Sequence, residues 1–161
     1  MVPATKNVKV TSAKKGPVSG ERPRRNEKGW QAEKSSMTRT AILEATLQCL
    51  LELGYANTTT ALIANYAGLS RGAMMHHFPS RMSVMSAVVD YLHMLRLSEY
   101  RALMADIDDP NRKLTRKAIK ASVAAAWSYV NLPSFFAYQE LLSASRTDDE
   151  LHAMIGPIEK D

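Results

Sequence analysis

Residues 58–78, TTTALIANYAGLSRGAMMHHF, decide the fold. Thr59 or Thr60 can cap a short helix in which Leu62, Ile63, Tyr66 and Ala67 recur at helical spacing, with Ala64 on the inner face. Gly68 ends it, because a glycine takes the left-handed conformation of a tight helix exit, and Leu69 beyond it can drop into a core. Ser70 then caps a second helix, Arg71 to Phe78, with Met74 and Phe78 pointing inward and Pro79 closing it. Two short helices joined by a glycine-containing turn form the unit that lays its second helix in the DNA major groove.

Upstream, Ile42, Ala45, Thr46, Cys49, Leu50 and Leu53 make one apolar stripe on a preceding helix. The single cysteine, Cys49, lies in that stripe, so it reads as a buried structural thiol; one cysteine excludes an intrachain disulfide and fits a reducing cytoplasm. Downstream, Ser80 caps a long helix from about Arg81 to Met104. Asp106, Asp108, Asp109 and Pro110 then break the period. Further helices are expected from about Arg112 to Val130, from Ser134 to about Ser145 after Pro133, and from Asp148 or Asp149 to Ile155, stopped by Gly156 and Pro157. The fold class is all-α.

The 161 residues carry a net charge of +5, unevenly placed. Residues 1–36 hold nine Lys or Arg against three Glu, net +6, which leaves about −1 for the rest. Pro, Gly and Ser scattered through this segment, with no apolar period, predict a basic flexible tail. It reads either as an arm adding phosphate contacts or as a solvated leader. The start has no secretory-signal apolar run, and no 18-residue apolar stretch spans a membrane.

From Arg39 to Val84 the chain resembles the tetracycline-repressor (TetR) family of bacterial transcription regulators, over under a third of its length. The matching residues are Ile42, Leu43, Ala45, Gly54, Tyr55, Thr59, Thr60, Ile63 and Ala64, then Ala67, Gly68, Ser70, Gly72, His77, Phe78 and Arg81. The resemblance implies an N-terminal three-helix helix-turn-helix DNA-binding domain, residues 37–84 with its motif at 59–78. A helical ligand-binding and dimerisation domain, residues 85–161, follows. It further implies a cytoplasmic homodimer that binds a palindromic double-stranded DNA operator, most often as a repressor, and answers to a small-molecule effector. Thr59, Thr60, Ser70 and Arg81 would hold phosphates, while Arg71, Gly72, Ala73, Met75 and His76 would face base edges or the sugar-phosphate wall. His77 would contact DNA or brace the reading helix. Met75 departs from the family's usual Tyr, and a thioether cannot donate that residue's hydrogen bond.

The family usually adds two long helices that pair across a two-fold axis. The sequence ends at Asp161 without them, so the expectation is an incomplete regulatory domain, or dimerisation through another surface. Met104, Trp127, Phe135 and Tyr138 could line an effector cavity of the family's kind, or fill an ordinary core; helical spacing does not distinguish the two. No phosphate loop, nucleophile elbow, HExxH or cysteine pair is present, which points away from an enzyme. The Asp106, Asp108, Asp109 cluster lacks the Gly and distal Glu of a calcium loop, and Asp90 with His93 has no third ligand, so neither a metal nor a cofactor is expected. The alternative function is a helical ligand-binding or interaction protein with a degenerate DNA reader.

Overall fold

A computed structural model describes residues 25–105, 107, 113 and 115–157. Its element order is α1 (Arg25–Asn57), α2 (Thr60–Tyr66), α3 (Arg71–His77), α4 (Arg81–Met104), α5 (Arg116–Val130), α6 (Pro133–Ser145) and α7 (Asp149–Ile155). The class is all-α, with a helix-turn-helix near the N-terminus and a helical body behind it.

Local chemistry sets most of the boundaries. The side chains of Thr59, Ser70, Ser80, Thr115 and Asp148 each accept a backbone N–H at the start of α2, α3, α4, α5 and α7. At α4 the arrangement is reciprocal: Ser83 N donates to Ser80 Oγ at 3.0 Å, and Ser80 N donates to Ser83 Oγ at 3.1 Å. Each cap satisfies an orphan donor and contributes about 0.5–2 kcal/mol. Helix α6 has no side-chain cap; Pro133 sits in its first turn, where a missing N–H leaves no bond unmade.

The expected flexible tail covers residues 1–36, and its last third meets a helix. Helix α1 begins at Arg25, so residues 25–36 are helical; residues 1–24 lie outside the described residues. Adding turns to a helix already held by a buried stripe needs no new nucleus, so residues 25–36 extend α1 without an apolar period of their own. Helix α5 begins at Arg116, after the expected Arg112. Its expected start at Arg112 and the Asp106, Asp108, Asp109 cluster lie outside the described residues.

The α1 stripe is the spine of the core. Ile42, Ala45, Thr46, Cys49 and Leu50 are buried, and the Thr46 hydroxyl donates to the Ile42 carbonyl at 2.7 Å, so its burial leaves no donor unmet. Burial raises the Cys49 pKa, with Glu52 adding to the effect, which fits an inert packing thiol. One hydrophobic cluster runs from these residues through Ile63, Met74 and Phe78 to Val84, Met85, Val88 and Leu92 of α4, and on to Leu141, Leu151 and Ile155. The expected domain boundary between residues 84 and 85 therefore falls inside a continuous helix and a continuous core.

Helix α5 is the exception. Only Ala118 of this helix is buried, and Ile119, Val123 and Trp127 are 48%, 63% and 70% exposed along one side.

Candidate nucleic-acid interface

The turn between α2 and α3 is built by hydrogen bonds as well as by glycine. Gly68 has φ 65°, its amide donates to the Asn65 carbonyl at 3.1 Å, and the Leu69 amide donates to the Ala64 carbonyl at 2.9 Å. This paired closure satisfies the last carbonyls of α2 and turns Leu69 back against the core. Helix α3 then starts on Ser70, whose Oγ accepts from the Ala73 amide at 3.1 Å.

Met74 and Phe78 face inward and are buried, which fixes the rotation of α3. Its opposite side carries Arg71, Gly72, Ala73 and His76, all exposed, with Met75 and His77 half-buried. A Cβ on Gly72 would meet nothing within 4 Å, so this face is open. Thr59 and Ser70 are exposed and Thr60 is half-buried. As caps, Thr59 and Ser70 use an oxygen lone pair, which leaves each hydroxyl proton available to donate.

Arg81, expected at a phosphate, makes hydrogen bonds within the chain. Its Nε donates to the Thr58 carbonyl at 2.8 Å, its Nη2 donates to the Tyr55 carbonyl at 2.6 Å, and its Cζ lies 4.1 Å from the centre of the Tyr55 ring. The guanidinium is spent on closing the C-terminal end of α1, a clamp rather than a free cation.

That clamp belongs to a joint between the reader and the body. The Tyr55 amide donates to Glu140 Oε1 of α6 at 2.7 Å, and the Tyr55 hydroxyl donates to Asp148 Oδ2 at 2.6 Å. Asp148 also caps α7 through the Leu151 amide at 2.9 Å. The Tyr55 hydrogen bond, then the Leu151 amide, hold the Asp148 carboxyl below its ordinary pKa; desolvation, then the Asp148 hydrogen bond, raise the Tyr55 phenol. Glu140 comes this close because Gly54, at φ 77° and ψ 167°, has no Cβ: one placed there would stand 3.0 Å from Glu140 Oε1.

The early start of α1 supplies residues that the sequence reading left in the tail. Of these, Trp30, Gln31, Lys34 and Ser35 line a cleft of about 370 Å³ together with Thr38, His76 and His77. Lys34 Nζ lies 5.3 Å from the Trp30 ring centre, and Arg39 Cζ lies 4.2 Å from that of Phe78. The i, i+4 spacing of Trp30, Lys34 and Thr38 was the available signal.

The four effector candidates differ in exposure. Tyr138 and Met104 are buried and Phe135 is half-buried, whereas Trp127 stands on the solvent side of α5. Tyr138 and Phe135 instead share one neighbour, Arg96 of α4, whose Cζ lies 4.0 Å and 5.5 Å from their ring centres. Among the described residues no three His, Cys, Asp or Glu gather as metal ligands, and no helix is long and apolar enough to cross a membrane.

A capped glycine turn that presents an open helix face on an all-α body defines a helix-turn-helix protein. Residues 42–88 match the model of the bacterial regulatory proteins, tetR family. The chain is 35% identical over 77 residues to the HTH-type transcriptional regulator CymR of Pseudomonas putida, covering 48% of this chain and 38% of that one. It is 29% identical over 117 residues to the HTH-type transcriptional regulator BetI of Pseudomonas fluorescens, covering 72% and 58%. The solved structure of SCO7518 from Streptomyces coelicolor A3(2) has the same fold at TM-score 0.60 and 18% identity, over 76% of this chain and 69% of that one. The family match covers the helix-turn-helix and the first part of α4, and the relatives that align with this region are HTH-type transcriptional regulators. It spans 38% and 58% of the length of the two curated relatives.

Proposed function

We propose that the chain is a ligand-responsive transcription regulator, a repressor that binds a palindromic operator as a dimer and leaves it when a small molecule occupies the helical body. The observation that carries the reading is the outward face of α3, held in one rotation by Met74 and Phe78 beneath it. Arg71, Gly72, Ala73, Met75 and His76 are read as the surface toward base edges and the groove wall, with Thr59, Thr60, Ser70 and His77 toward phosphates. Arg81 is withdrawn from that set and given the joint. The relatives' description as transcriptional regulators supports the same reading. No catalytic role or cofactor is proposed, and a DNA-bound regulator belongs in the cytoplasm.

The mechanism is a population shift. Successive major grooves on one side of the duplex lie about 34 Å apart, and an effector favours a spacing of the two readers that misses this interval. Gel-shift titration on DNA flanking the protein's own gene tests the proposal. A sequence preference that Arg71→Ala or His76→Ala reduces by about 1–3 kcal/mol, with random-DNA binding less affected, is expected of base readers. Loose, salt-sensitive binding without preference would overturn it in favour of a helical carrier with a degenerate reader.

A further inference from the structure

Arg96 has no partner for a buried donor. Its Nε is buried and makes no hydrogen bond, alone in this among the buried side-chain nitrogens and oxygens of the described residues. Glu99, one turn along α4, accepts a hydrogen bond from the Ser134 hydroxyl of α6. An arginine stays charged at any ordinary pH, and a buried charge is costly unless its donors are met.

The surroundings say what could meet them. The Arg96 guanidinium lies against the Tyr138 and Phe135 rings, and edge-to-face contacts continue from Phe135 to Tyr129 at 5.7 Å and from Tyr129 to Tyr100 at 5.6 Å. Ring faces answer the charge of a guanidinium through its flat side, but they leave its in-plane N–H groups unbonded. Nε–H and the neighbouring Nη–H form a two-pronged edge that fits the two oxygens of a carboxylate. Tyr100 is 41% exposed and Phe135 is half-buried, so solvent reaches the outer rings of this aromatic surround.

We propose that Arg96 anchors an effector site in the helical body, and that the effector is an organic carboxylate with a flat apolar body: the carboxylate on the Nε edge, the body among Phe135, Tyr129 and Tyr100. The proposal rests on the regulator reading only in naming the occupant an effector. It is tested on the full chain without DNA, so a negative result leaves the operator experiment untouched, and the converse also holds.

The probes are 2-naphthoate and its neutral isostere 2-naphthamide, followed by calorimetry and thermal melts. Naphthoate should bind the wild type at least about tenfold more tightly than the amide, a difference of about 1.4 kcal/mol. Arg96→Met should erase that preference while the far-UV circular dichroism spectrum is kept. Arg96→Lys, which keeps a charge without the two-pronged edge, should retain only part of it. Should Arg96→Met not fold, Arg96→Lys decides alone, and a preference as large as the wild type's would overturn the proposal. Equal binding of both probes, binding of neither, or a preference that survives in Arg96→Met would also overturn it.

Discussion

Gly54→Ala is expected to destabilise the protein by about 3 kcal/mol, although only a methyl group is added. Gly54 sits at φ 77° and ψ 167°, a region that side-chain-bearing residues essentially avoid, and forcing one there costs on the order of 1–3 kcal/mol. The new Cβ would also stand 3.0 Å from Glu140 Oε1, the atom that accepts the Tyr55 amide at 2.7 Å. Moving the carboxylate weakens a hydrogen bond to a charged acceptor, of a kind worth about 1.5–3 kcal/mol when lost outright. With partial loss of that bond the two effects sum to about 3 kcal/mol, or a melting temperature lower by about 6–12 °C.

Urea and thermal unfolding followed by far-UV circular dichroism measure the change directly, and a double-mutant cycle with Glu140→Ala separates its parts. With Glu140 truncated, Gly54→Ala should cost only the backbone strain, about 1–3 kcal/mol, leaving a coupling of about 0.5–2 kcal/mol between the positions. A Gly54→Ala protein within about 0.5 kcal/mol of the wild type would refute the backbone argument. Full additivity in the cycle would refute the part assigned to Glu140.

Gly68→Val should abolish DNA binding, because a β-branched residue resists φ 65°; since no atom lies within 4 Å of a Cβ there, Gly68→Asn, which tolerates that conformation, should bind in gel shifts. The Tyr55–Asp148 pair should add stability over a pH window open at neutral pH. Asp148 is held below its ordinary pKa, so its share is present above the ordinary carboxylate range and is lost as pH falls through the lowered value. Tyr55 is raised, so its share is present below the ordinary phenol range and is lost as pH rises through the raised value; melts across pH should show Tyr55→Phe flattening both limbs. Arg81→Ala should lower the melting temperature and weaken DNA binding without changing the slope of log affinity against log salt, whereas a phosphate contact would remove about one unit of slope per subunit.

What was legible in the sequence is what short-range chemistry decides. Thr59, Gly68, Ser70 and Ser80 act within three or four residues of their own positions, and each does in the structure what its residue type suggested. The buried stripe on α1 was legible for the same reason, since periodicity is local. The Arg81 clamp was not legible because its acceptors, at Thr58 and Tyr55, lie 23 and 26 residues back, and nothing in the local pattern says where a guanidinium turns. Trp127 was grouped with Tyr138 because both are apolar residues on helices. Which side of a helix is covered depends on the neighbours, and α5 has none along Ile119, Val123 and Trp127 among the described residues. The joint at Tyr55 was invisible, because its partners Glu140 and Asp148 are 85 and 93 residues away.

The same two helices link the proposed effector site to that joint. Helix α4 carries Arg96 near its middle and Arg81 at its start, 15 residues apart and therefore about 22 Å along the helix axis. Helix α6 carries Phe135 and Tyr138 against Arg96, and only two residues further on carries Glu140, which holds the Tyr55 amide. An occupant that shifts the two rings acts on a short rigid helix whose other contact sets the end of α1. Glu140→Ala should therefore reduce the factor by which 2-naphthoate lowers operator affinity, while leaving naphthoate affinity in the absence of DNA within about twofold of the wild type. Coupling is reciprocal, so the factor by which operator lowers naphthoate affinity should fall equally. Measuring both factors closes the cycle. An unchanged factor in Glu140→Ala would show that α6 does not carry the signal, and would leave α4 and its Arg81 clamp as the route between the two sites.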